Sequence, residues 1–185
     1  MWAVVGLGNP GRRYAETRHN VGFRFIRRVA EDWSVRVTKA RFLAKVGEVR
    51  RGGERVVLAM PQTFMNESGQ SVESLRRGLP VDPANLVVVF DDVDIPLGTI
   101  RVRKDGGPGT HRGMASIVEA LATSGFPRIR IGIGPTLEGA DIVRFVLTPF
   151  RKDERALLET SLGRAEDALD LILDGHIDKA MNDFN

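Results

Sequence analysis

The chain predicts an α/β fold: a single domain in three layers, α/β/α, built on a twisted mixed β-sheet and spanning residues 1–185. Three observations carry this. Short apolar runs alternate with amphipathic segments of helical period, the pattern of a sheet covered by helices. One run, Leu86-Val87-Val88-Val89-Phe90, is unbroken, as in a central strand buried on both faces. A hairpin signal at Arg51-Gly52-Gly53-Glu54 adds antiparallel neighbours, so the sheet is mixed.

Trp2–Val5 reads as a buried strand running into a glycine turn. Val21, Phe25, Ile26, Val29, Ala30 and Trp33 recur at helical spacing over 21–33, with Arg24, Arg27 and Arg28 on another face. Leu43–Val49 and Arg55–Met60 form the hairpin arms. After a loop over 61–66, a helix runs from about Ser68 to Arg77 and stops at Gly78 and Pro80. The strand Asn85–Phe90 leads into an acidic loop, Asp91-Asp92-Val93-Asp94, and Thr99–Arg103 alternates as a strand. Asp105–Gly113 is a glycine-rich connection, and Met114–Ser124 is helical. Along Arg128–Ile133 a strand sets Arg128 and Arg130 on one face and Ile129, Ile131 and Ile133 on the other. The longest helical pattern, acidic and amphipathic, covers 151–174, and a short helix near Asp178–Asp183 follows. Trp2, Phe23, Phe25 and Trp33 read as core.

Bulk composition narrows the function classes. At 42% apolar and 28% charged residues the chain is an ordinary globular protein. Without cysteine there is no thiol nucleophile, thiolate metal site or disulfide, and a reducing cytoplasm is permitted. Neither a signal peptide nor a transmembrane helix is expected. The net charge of +3 is unevenly spread: +8 over 1–55, −4 over 56–100, +4 over 101–151 and −5 beyond. Two basic regions thus flank the acidic one. If the fold joins them, they form a landing surface for a polyanion around a site with carboxylates.

The chemistry concentrates where polar residues follow apolar runs. His19, in Thr17-Arg18-His19-Asn20, can take a proton from water at neutral pH. Alone it reads as a structural imidazole near a helix start, and its setting among the other polar segments turns the reading toward catalysis. Asp91, first polar residue after the central run, could hold its far ring nitrogen or cap a turn. Asn9 and Asn66 could donate to a carbonyl oxygen gathering negative charge, or hold turns. His111 reads as structuring its glycine-rich loop before acting in catalysis. Gly6-x-Gly8-x-x-Gly11 matches a dinucleotide fingerprint, but Pro10 removes a donor, and Asp32 falls at a helix end rather than a strand end. There is no P-loop, no Gly-x-Ser-x-Gly elbow and no His-x-x-x-His. His19, His111 and Asp91 lie on separate segments, so no metal site is expected.

Taken together, seven segments resemble the bacterial-type peptidyl-tRNA hydrolases. They are Val5-Gly6-Leu7-Gly8-Asn9-Pro10-Gly11, Thr17–Gly22, Pro61–Gly69, Asp91–Gly98, Gly106–Gly113, Arg128–Gly134 and Ala180-Met181-Asn182-Asp183-Phe184-Asn185, in the family's order along nearly the whole chain. The resemblance implies a cytoplasmic, monomeric, metal- and cofactor-independent esterase, with no membrane or obligate protein partner, that frees tRNA from prematurely released peptides. It implies His19 as catalytic base, Asp91 as its partner, and Asn9, Tyr14, Phe64, Asn66 and Arg112 in the substrate groove, with Asn9 and Asn66 polarising the ester. Arg103 and Arg130 would clamp the tRNA 5′-phosphate. One departure stands out: the family's glycine-rich loop often ends Gly-His-Asn-Gly, whereas this chain has Thr110-His111-Arg112-Gly113. Arginine offers donors and fixed charge only, so Arg112 is expected to contact tRNA phosphate or the ester carbonyl. Two other readings stay open: an RNA-binding protein without hydrolysis on the same scaffold, and a nucleotide-dependent oxidoreductase.

Overall fold

In chain order the strands are β1 (Trp2–Gly6), β2 (Lys39–Arg41), β3 (Ala44–Arg51), β4 (Glu54–Pro61), β5 (Leu86–Pro96), β6 (Ile100–Arg103) and β7 (Arg128–Gly134). The helices are α1 (Val21–Asp32), α2 (Ser68–Gly78), α3 (Arg112–Leu121), α4 (Ile142–Val146), α5 (Arg155–Leu173) and α6 (Ile177–Phe184). The structure, a computed structural model, describes residues 1–134 and 139–185. The strands form one mixed sheet in the order β2-β3-β4-β1-β5-β7-β6. β1, β4, β5 and β7 run parallel, while β2, β3 and β6 pair antiparallel.

Strand alternation splits the apolar residues into two cores. Val4, Leu58, Val87, Val89 and Ile131 face Phe25 and Ile26 of α1 and Leu162 and Leu169 of α5. Val5, Val57, Val88 and Phe90 face Val72 and Leu75 of α2 and Met114 and Ile117 of α3. The three layers expected from the sequence follow directly.

The contact that fixes α1 against the sheet involves two glycines. A Cβ on Gly22 would lie 2.4 Å from the Leu7 nitrogen and 2.5 Å from the Val89 oxygen, and one on Gly6 would lie 2.1 Å from the Gly22 oxygen. Backbone therefore packs on backbone, and the residues just before α1 are pressed against the carboxyl ends of β1 and β5.

Some boundaries differ from expectation. The acidic stretch is not a loop: β5 continues to Pro96, because Asp91 and Asp92 keep pairing with Ile131 and Gly132 of β7. The helix expected over 151–174 opens with a separate 3-10 turn, Lys152–Glu154, and α5 proper starts at Arg155. The α3 helix begins two residues earlier than expected, at Arg112, with His111 as its cap. β2 has no apolar pattern to reveal it, all three residues being exposed. Phe23 and Phe25 are core, but Trp2 and Trp33 pack at its margin, partly exposed.

Candidate active site

β1 and β5 lie side by side, yet the chain after β1 builds β2, β3 and β4 on one side, while β5 opens the other. This is a topological switch point, where open α/β sheets leave a crevice at the carboxyl ends of the strands. A cleft of about 740 Å³ opens there, and all nine expected site residues line it: Asn9, Tyr14, His19, Phe64, Asn66, Asp91, Arg103, Arg112 and Arg130.

At its centre is Asp91, a carboxylate only 2% exposed. His19 reaches it from the lead-in to α1, with Nδ1 2.9 Å from both carboxylate oxygens. His111 reaches it from the start of α3, with Nε2 3.1 Å from Oδ1. One imidazole thus comes from each helical layer to the same acid, and the two rings stand 5.0 Å apart. The tautomers follow from the neighbours. The His111 Nδ1 accepts from the Met114 backbone N–H at 3.2 Å, so its Nε2 carries the proton given to Asp91. With Nδ1–H of His19 also given to Asp91, the His19 Nε2 lone pair has no partner among the described residues. Burial alone pushes the Asp91 carboxyl up. The positive charge that His19 or His111 carries when protonated, and the hydrogen bonds of both rings, outweigh it and hold the acid well below the usual carboxylate range.

The ligand atoms of His19, Asp91 and His111 lie within 4.8 Å of one another, so distance along the sequence did not keep them apart in space. The donor set nonetheless reads as a hydrogen-bonded triad. A neutral His111 that accepts at Nδ1 has no lone pair on Nε2 for a metal.

The asparagines form a second linked set. Asn20, 1% exposed, locks the Asn9 backbone from both sides: its Oδ1 accepts from the Asn9 N–H (2.8 Å) and its Nδ2 donates to the Asn9 carbonyl (2.9 Å). The Asn9 Oδ1 in turn accepts from the Met65 N–H at 2.8 Å. That bond fixes the amide's orientation and leaves Nδ2 as a donor with no partner among the described residues. Asn66 is exposed on the rim, next to the exposed Phe64, whose ring meets Tyr14 edge-on at 6.5 Å.

Further residues hold this arrangement, and no local pattern marks their role. Arg18, 3% exposed, donates to Glu154 at 2.7 Å and lies over the rings of Phe145 and Phe150, tying the His19 segment to the residues before α5. Its backbone N–H also bonds the Thr148 carbonyl. Arg128, expected merely to share a face with Arg130, is 2% exposed and makes no ion pair among the described residues. Its guanidinium donates to the carbonyls of Gly106, Gly107, Ser124 and Phe126, and burial lowers its pKa to about 10. It therefore fastens the base of the glycine-rich loop that carries His111. Of the two expected phosphate ligands, Arg130 is held by Asp92, Nε to Oδ2 at 2.6 Å, whereas Arg103 makes no ion pair among the described residues.

Two glycines of the apparent dinucleotide fingerprint, Gly6 and Gly8, serve packing, while Gly11 turns the chain at a φ of 99°. A Cβ on Gly8 would meet the Phe23 ring at 2.7 Å, as one on Gly6 would meet α1, and a 3-10 turn follows instead of a phosphate-binding helix.

The family profile for peptidyl-tRNA hydrolase matches residues 3–185. The chain belongs to the peptidyl-tRNA hydrolase family. A peptidyl-tRNA hydrolase of Alkaliphilus metalliredigens is 48% identical over the full length of both chains. One of Roseiflexus castenholzii is 47% identical, covering all of this chain and 87% of the relative. The crystal structure of the Acinetobacter baumannii peptidyl-tRNA hydrolase matches with a TM-score of 0.92 at 34% identity, covering 98% of this chain and 93% of that one.

Proposed function

We propose that the chain hydrolyses the ester joining peptide to tRNA, with the His19 Nε2 taking the proton of the attacking water. Family membership supports the overall reaction. The observation that carries the roles is the shared carboxylate: Asp91 accepts from both imidazoles and so leaves one ring nitrogen, on the cleft-lining His19, without a partner among the described residues. As water attacks the carbonyl, the ionised Asp91 stabilises the imidazolium that forms, and His19 then returns the proton to the departing ribose oxygen. Asn9 and Asn66 hold the peptide part and donate to the developing oxyanion. Asn9 is the preorganised member, since its Nδ2 direction is set by Met65. Tyr14 and Phe64 wall the groove. Arg103 and Arg130 take the tRNA 5′-phosphate, and Arg112, at the first turn of α3, meets a further phosphate or the ester carbonyl. No step in this scheme calls on a metal or a cofactor.

The reading extends to one domain, a monomer without an obligate protein partner, and the cytoplasm, where translation produces the substrate. No helix among the described residues is long and apolar enough to cross a membrane. The deciding experiment is release of the acyl-aminoacyl group from N-acyl-aminoacyl-tRNA in the presence of a chelator. Wild type should turn over. His19→Ala should lose about a thousandfold in rate while still binding tRNA. Full activity in His19→Ala, or none in wild type, refutes the proposal.

A further inference from the structure

The cations of the first basic region, +8 over residues 1–55, are not used by the catalytic scheme, whose phosphate ligands come from β6, β7 and the start of α3. Many of its cations are spent on ion pairs, among them Arg18, Arg24, Arg28, Arg51 and Arg55. Arg12, Arg27 and Lys45 form none among the described residues, and these three come together. They line a second cleft of about 650 Å³ on the α1 side of the sheet, with Met60 in its wall and Glu31 as its one acid among the described residues. Asn9 lines both this cleft and the catalytic one.

From these features we infer that the second cleft is a subsite for the peptide, selective for acidic side chains. The inference rests on the reading of the first cleft as the ester site. Arg130 and Arg103 lie one and two strands from β5, on the side away from β1. The nucleic acid therefore occupies that side of the ester, and the peptide must leave in the opposite direction, past Asn9. Lys45, on β3, is two strands beyond β1, about 10 Å at ordinary strand spacing. An extended peptide covers that in about three residues. Side chains from roughly the third to the fifth residue from the ester thus meet three unpaired cations and one carboxylate.

The test uses tRNA carrying N-acetylated peptides with Asp-Asp or Lys-Lys at positions three and four from the ester, and the acid-to-base ratio of kcat/KM is read within each enzyme. Reading a ratio cancels any general loss of activity. Wild type should favour the acidic peptide by about fivefold at low salt, as expected for exposed charge pairs, and the ratio should fall at 0.5 M salt. R27E/K45E should reverse it. Arg50→Glu, an equal change in charge at an exposed, unpaired residue outside the cleft, should leave the preference in place. A wild-type ratio near one overturns the inference, as does a preference that survives R27E/K45E. So does an R27E/K45E effect confined to tRNA affinity, which would make the cleft an RNA contact. A substrate with a single acetylated amino acid reports separately on the ester site: if wild type fails to hydrolyse it, the catalytic reading is at fault and not this one.

Discussion

Replacing Asp91 by Asn tests the shared carboxylate most sharply, because the two imidazoles compete for what remains. A carboxylate accepts from both rings, whereas an amide offers one oxygen and one NH₂. His111 cannot change tautomer without losing the Met114 N–H at its Nδ1. It therefore keeps donating from Nε2 and claims the amide oxygen, and the NH₂ faces the His19 Nδ1. To accept there, His19 must move its proton to Nε2, the nitrogen that should take a proton from water. Fixing the wrong tautomer in this way costs about 10⁴-fold in kcat, or roughly 5 kcal/mol of transition-state stabilisation. Single-turnover release measures it, with tRNA affinity as the control for folding. The same geometry predicts a rescue: in D91N/H111A nothing holds the amide oxygen away from His19, so the amide turns, the working tautomer returns, and the double variant is at least about tenfold faster than D91N. A D91N rate within tenfold of wild type refutes the orienting role. A slow D91N with no recovery in D91N/H111A refutes the competition for one acceptor.

Reversing Arg103 and Arg130 to Glu should weaken tRNA binding and flatten its salt dependence by about one unit of slope per lost phosphate contact, read by titration at several salt concentrations, with little change in kcat. Arg112→Asn should lower tRNA affinity or turnover, and an unchanged tRNA titration together with unchanged steady-state kinetics would refute its contact with phosphate or ester carbonyl. Gly22→Ala should destabilise by about 2–3 kcal/mol, since its Cβ would meet backbone that cannot yield, and thermal melting should drop by about 5–10 °C.

How much was legible in the sequence follows from what each feature needs. The strands at the sheet centre are runs of buried aliphatics, so β1 and β5 were visible by pattern alone. Helices with one apolar face, such as α1, were equally plain. β2 was not, because an exposed three-residue edge strand carries no burial signal. The extension of β5 through Asp91 and Asp92 was hidden for the opposite reason: acids suggest a loop, and here their backbone stays in the ladder while their side chains find cations and imidazoles. His19, Asp91, Asn9 and Asn66 could be picked out as polar residues after apolar runs, but that they meet in one cleft depends on strand order, which no local pattern states. The supporting residues were the least legible. Arg18 and Arg128 look like surface arginines until the fold removes them from water, and Asn20 looks like a helix-start residue until it is seen gripping the backbone of Asn9.

The seam at Arg18 makes His19, the proposed proton acceptor, and the stretch from Thr148 to Glu154 one mechanical unit. A substitution at Glu154 or Phe150 lies outside the proposed ester and phosphate contacts, yet it would slacken the His19 ring, the proposed base. Sensitivity to change thus extends along this seam well beyond the residues that meet substrate, and an inactive variant there would reflect a shifted base rather than a missing contact.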